Sequence, residues 1–112
     1  MSDFREEQIW REARLLTAAL HQLTESFPAD LASRIRSACF ALLDSVTPSE
    51  DLPRPRRRAG AAQRASLLAE QLTSEIRQAY EVGLMERSSF SDLQNETGLL
   101  RELLQHESET QL

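Results

Sequence analysis

The chain has 112 residues, enough for one ordinary domain and too few for two. Its 40% apolar and 28% charged residues make a globular composition and exclude a disordered one. The net charge of −5 opposes a polyanionic partner for the body as a whole, and no apolar run approaches the ~20 residues of a membrane span.

The first segment, "DFREEQIWREARLLTAALHQLTESF", covers residues 3–27. Ile9, Ala13, Leu16, Leu20, Leu23 and Phe27 step by four and three, which predicts a helix over about 4–26. Asp3 and Glu6 have capping-box spacing. Leu15 and Trp10 widen the apolar face. Trp10, the sole tryptophan, is expected to be largely buried against the second helix or a neighbouring subunit.

Pro28 breaks this helix and suits the first turn of the next. The second helix is predicted over 29–46, "ADLASRIRSACFALLDSV". Leu31, Ile35, Ala38, Leu42 and Val46 form one stripe, and Phe40 and Leu43 belong to a second face. A helix apolar on two faces must bury both. In a four-helix monomer this small, one face stays partly exposed. Trp10, Leu31, Ile35, Ala38, Phe40 and Leu43 are therefore expected to divide between core and oligomer interface.

Residues 47–60, "TPSEDLPRPRRRAG", hold three of the four prolines and one of the three glycines, and are predicted to be the longest loop. A third helix is predicted over 61–82, with Ala65, Leu68, Leu72, Ile76 and Ala79 as its stripe and Gly83 as its C-terminal cap. A fourth is predicted over 89–106, opened by the capping-box pair Ser89 and Asp92. Phe90, Leu93, Thr97, Leu100 and Leu104 are its stripe, with Gly98 as the weak point. No alternating strand pattern occurs. The fold expected is all-α, an antiparallel up-down four-helix bundle forming one domain over 1–112.

The segments "IWREARLLTAALHQLTESFP" and "RIRSACFALLDSV" resemble the small bacterial four-helix bundle proteins known as 23S rRNA intervening-sequence proteins. The accessory variability determinant of diversity-generating retroelements is a relative of that group. The features carrying the likeness are Trp10 with Ala13, the Phe27-Pro28 turn, "IRSA" at 35–38 and the "EVGLM" turn. The resemblance implies a ring-shaped homopentamer. For the retroelement members it also implies binding to a reverse transcriptase and nucleic acid through a basic surface. After "LLDSV" this chain has "TPSEDLP" where the family continues its second helix, and its body is acidic.

Residues that could carry chemistry are sparse. His21 and His106, the two histidines, lack a Glu three residues before them, so the di-iron bundle pattern is missing. Cys39 sits between Ala38 and Phe40 and reads as a core cysteine. A single cysteine forms no internal disulfide, and the polar N-terminus is unlike a signal peptide, which makes the cytoplasm the expected location. The serines lie mostly at loop and cap positions, without an activating base. Glu7 and Arg11 form an i, i+4 pair. No catalytic, metal or cofactor site is expected.

"LPRPRRRAG", residues 52–60, holds Arg54, Arg56, Arg57 and Arg58 and no acid, while the rest of the chain carries nine arginines against 18 acids. These four are the candidates for contact with nucleic acid or an acidic partner. No aromatic is interleaved to stack on bases, and the acidic body repels the polyanion that the run attracts. The expectation is a non-enzymatic homo-oligomeric scaffold or adaptor, pentameric by resemblance, that binds an unidentified protein partner. The alternative is an RNA-binding or reverse-transcriptase-associated accessory protein using the arginine run.

Overall fold

A computed structural model describes the backbone of residues 3–47 and 54–110 and the side chains of 7–47 and 60–106. Four helices carry the fold: α1 (Asp3–Leu23), α2 (Ala29–Val46), α3 (Arg54–Glu81) and α4 (Arg87–Thr110). A 3-10 turn, Thr24–Ser26, extends α1. There is no strand among the described residues.

Among the described residues each helix packs on its neighbours in the chain and α1 closes the circuit against α4, while the backbones of the two diagonal pairs stay apart. All four therefore turn one stripe to a common axis. The stripes are the ones periodicity predicts in α1 (Ile9, Ala13, Leu16, Leu20) and α4 (Leu93, Thr97, Leu100, Leu104). In α3, Ala65, Leu72, Ile76 and Ala79 are fully buried, and Leu68 is half-buried at the edge. The alanines Ala62, Ala65, Ala69 and Ala79 have little bulk and let neighbouring helices approach α3 closely.

The buried face of α2 is turned slightly from the expected stripe. Ala32, Ile35, Ala38, Cys39 and Leu42 are buried, while Leu31, Leu43 and Val46 pack against the core from its flanks. Phe40, on the second apolar face, is 62% exposed, so within the monomer it is not a core residue. Ile35 and Leu42 occupy the centre of this face, with the small Ala32, Ala38 and Cys39 beside them.

The first corner is held by polar contacts. Arg36 Nε donates to Thr24 Oγ1 at 3.0 Å and Arg36 Nη2 to the His21 carbonyl at 3.4 Å. Thr24 Oγ1 donates to the same carbonyl at 3.1 Å, so buried Thr24 is fully satisfied. Thr97, the other buried polar residue among those described, donates its hydroxyl back to the Leu93 carbonyl one turn earlier.

The turn between α3 and α4 begins at Gly83, with φ +86°. The Leu84 amide donates to the Ala79 carbonyl at 2.9 Å and the Gly83 amide to that of Tyr80 at 3.0 Å, which is a Schellman cap. Tyr80 and Phe90 then stack across the turn, centroids 4.2 Å apart and planes within 8°. This stacking fixes how α4 leaves the corner.

Three helices start at other residues than expected. The helix α3 begins at Arg54, so the last seven residues of the predicted 47–60 loop are helical. Pro55 is the second helical residue, where the amide it lacks would have no partner inside the helix. The helix α4 begins at Arg87, which makes Ser89 its third residue and no N-cap; the Glu86 carbonyl accepts the first turn's bond from Phe90 at 3.0 Å. Asp3 is likewise a helical residue rather than the cap before α1.

Candidate functional site

The outward side of α2 pairs an exposed aromatic with a smooth row of small residues, while Leu15, Leu67 and Val82 are exposed elsewhere on the bundle. Ser33, Ser37 and Ala41 recur once per turn and are exposed, forming a ridge without bulk. Phe40 projects beside this ridge, its ring edge-on to the exposed His21 of α1 at 6.5 Å and 76°. Two shallow grooves flank the ridge. Thr24, Phe27, Ala32 and Arg36 line the one toward α1, and Arg34, Ala38, Leu68 and Gln71 the one toward α3. An ion pair between Arg34 and Glu75 at 3.4 Å bridges α2 and α3.

The interface candidates read from the sequence part company here. Ile35 and Ala38 are core residues of the monomer, at 0% and 4% exposure. Leu31 and Leu43 are half-buried beside that core. Phe40 alone faces outward. Trp10 is half-buried within the single chain, beside the core stripe of α1. The Arg14 guanidinium lies 4.7 Å from the centroid of the Trp10 ring, a cation–π contact that covers part of a face left open by the bundle. Sequence reasoning passed over Ser33, Ser37 and Ala41, although their four-residue spacing is plainly readable.

Arg54, Arg56, Arg57 and Arg58 lie on the opening turns of α3, and the contacts expected of their side chains fall outside the described residues. The same stretch has no acidic residue in its first turn. Cations there oppose the positive end of the helix dipole, and an anion placed there would be favoured.

His21 and His106 are both exposed. Among the described residues no three His, Cys, Asp or Glu side chains group closely enough to hold a metal ion. Burial pushes the Cys39 thiol up to about 11, a side-chain contact with Thr17 offsetting a little of the rise. That contact falls short of a full hydrogen bond, since Thr17 Oγ1 is buried without a partner of ordinary geometry. A thiol so placed stays protonated and unreactive at neutral pH. On the opposite side of the bundle the Glu96 carboxyl is raised, first by burial and then by the nearby charges of Glu12 and Asp92. No family model, no curated protein and no solved structure matches the chain.

Proposed function

We propose that this chain is a non-enzymatic, homo-oligomeric helical-bundle scaffold that binds a protein partner. The observation that carries the reading is the outward side of α2, where the exposed Phe40 stands beside a smooth ridge that no element covers among the described residues. An exposed aromatic flanked by grooves is the kind of feature that anchors a protein interface. The connections after α1 and α3 are short, and short links between packed helices place them in opposite directions, in keeping with an antiparallel up-down bundle. Five subunits in a ring is what the family resemblance implies. Light scattering of the full chain at micromolar concentration tests the reading, and a single species of 12.7 kDa would sink it. An affinity pull-down with the tagged oligomer then identifies the protein partner.

One observation favours a second reading, in which the chain contacts RNA. Four arginines open α3, the helix end that favours phosphate. An electrophoretic shift with generic RNA at two salt concentrations separates this reading from the first, because phosphate contacts make binding fall steeply with salt.

A further inference from the structure

We propose that the outward side of α2 is where a second copy of this chain docks, with the Ser33–Ser37–Ala41 ridge at the contact and Phe40 as its anchor. The inference rests on the self-association reading above and names the surface responsible for it.

Charge points to a second copy. The four charged residues of α2 are Asp30, Arg34, Arg36 and Asp44, so this helix is neutral in a chain of net charge −5. By the same reckoning α1 and α4 are net negative and α3 net positive. When two identical molecules meet through the same face, like charges oppose each other on α1, α3 and α4, and the neutral face of α2 is the one that meets its own copy without net repulsion. From Ser37 to Leu43 the helix has seven residues and no charge, and the two arginines of the contact, Arg34 and Arg36, already have partners in Glu75 and Thr24.

Shape points the same way. Residues spaced by four form the ridge row used in the commonest helix–helix packing, and serine and alanine along that row let two backbones come close. The flanking grooves offer room for a side chain that projects beside the ridge, and Phe40 is such a side chain. In size, a footprint that takes in α2 and the adjoining flanks of α1 and α3 comes near a standard interface. A strip as long as the 18 residues of α2, about 27 Å, and as wide as the 23 Å bundle projects to about 600 Å². That approaches the ~800 Å² per partner of a standard interface.

The test uses the full chain, with light scattering and sedimentation over a hundredfold range of concentration. The variants are Ser37→Arg, which puts bulk and charge on the ridge, and Phe40→Ser, which removes the anchor. Both positions are exposed, so helicity by circular dichroism should match wild type and certify folding. Leu67→Ser, at a residue 67% exposed on α3, is the control. We expect wild type and the control to form the same oligomer, and both α2 variants to dissociate at least tenfold more readily or run at 12.7 kDa. Variants that keep the wild-type mass and affinity would overturn this surface while leaving self-association standing. A wild type that is itself monomeric across the range would overturn the self-association reading and the docking surface with it.

Discussion

The same substitution, glycine to alanine, should have opposite effects at two places in this bundle. At Gly98, inside α4, an added Cβ meets nothing within 4 Å and the backbone is ordinary helix. Alanine there reduces the freedom of the unfolded chain and should stabilise by about 0.8–1.0 kcal/mol. At Gly83 an added Cβ also meets nothing within 4 Å, so packing plays no part, but φ is +86°. Holding an L-residue there costs about 1–2 kcal/mol, offset by about 0.4–1 kcal/mol from the unfolded state, for a net loss near 1 kcal/mol. The two variants should therefore sit about 2 kcal/mol apart. Urea unfolding reads this directly, at one fixed protomer concentration so that assembly does not shift the midpoint. The slopes should stay equal while the midpoints move in opposite directions. Two midpoints shifted the same way would refute the assignment of Gly83 as a left-handed cap or of Gly98 as a plain helical residue.

Other consequences follow from particular side chains. With its thiol up at about 11, Cys39 should react with a disulfide reagent at pH 8 far more slowly than a free cysteine, and at the ordinary rate once urea unfolds the chain; rapid labelling of the native protein would contradict its burial. The Glu96 carboxyl is raised in the folded state, so its charged form costs stability at pH 7, and that penalty disappears as pH falls below the unfolded value of ~4.3. Glu96→Gln should thus be more stable than wild type at pH 7, with the gap closing toward pH 4 in paired urea titrations. Trp10 is half-buried under Arg14, so Trp10→Ala should cost about 1–2 kcal/mol, short of the ~3–5 kcal/mol of a core aromatic. Its fluorescence should be quenched by acrylamide to an intermediate degree, and complete shielding would show that a second subunit covers it.

What the sequence made legible was periodicity. The stripes of α1 and α4 emerge almost residue for residue, because buried leucines at steps of three and four have no other arrangement that hides them. The Gly83 cap was legible for an equally local reason, since glycine takes positive φ at little cost. The start of α3 was not. Three prolines and a glycine among residues 47–60 read as a loop, but proline is harmless in a first helical turn, and position within the helix is what a composition count misses. Phe40 and Trp10 were harder still. Both lie beside an apolar stripe, and periodicity alone does not say whether the next surface out is another helix, another subunit or water.

The arginine run therefore has to be judged on a helix rather than on a loop. Arg54 and Arg56 sit in the first turn, where the helix end is already positive, at an energetic cost of about 0.3–1 kcal/mol each at low salt, and Arg57 and Arg58 follow where that effect fades. The acidic remainder of the chain, with 18 acids against nine arginines, offsets part of that cost and competes with any nucleic acid for the same charges. Replacing all four with glutamine removes the unfavourable end charge and keeps good helix formers. Under the scaffold reading this variant should retain its helicity and its oligomer mass. Its stability at low salt should equal or slightly exceed that of wild type, and neither protein should shift generic RNA at 150 mM salt. If the run serves RNA instead, wild type should bind with a steep salt dependence. The quadruple variant should then lose about 0.7 log units of slope for each single-strand phosphate contact removed. A wild-type shift that vanishes in the glutamine variant, with helicity intact, would overturn the scaffold reading in favour of nucleic acid. Arg→Gln at these positions is the sharper choice than Arg→Ser, because serine would also weaken the first turns of α3 and confuse lost binding with lost helix.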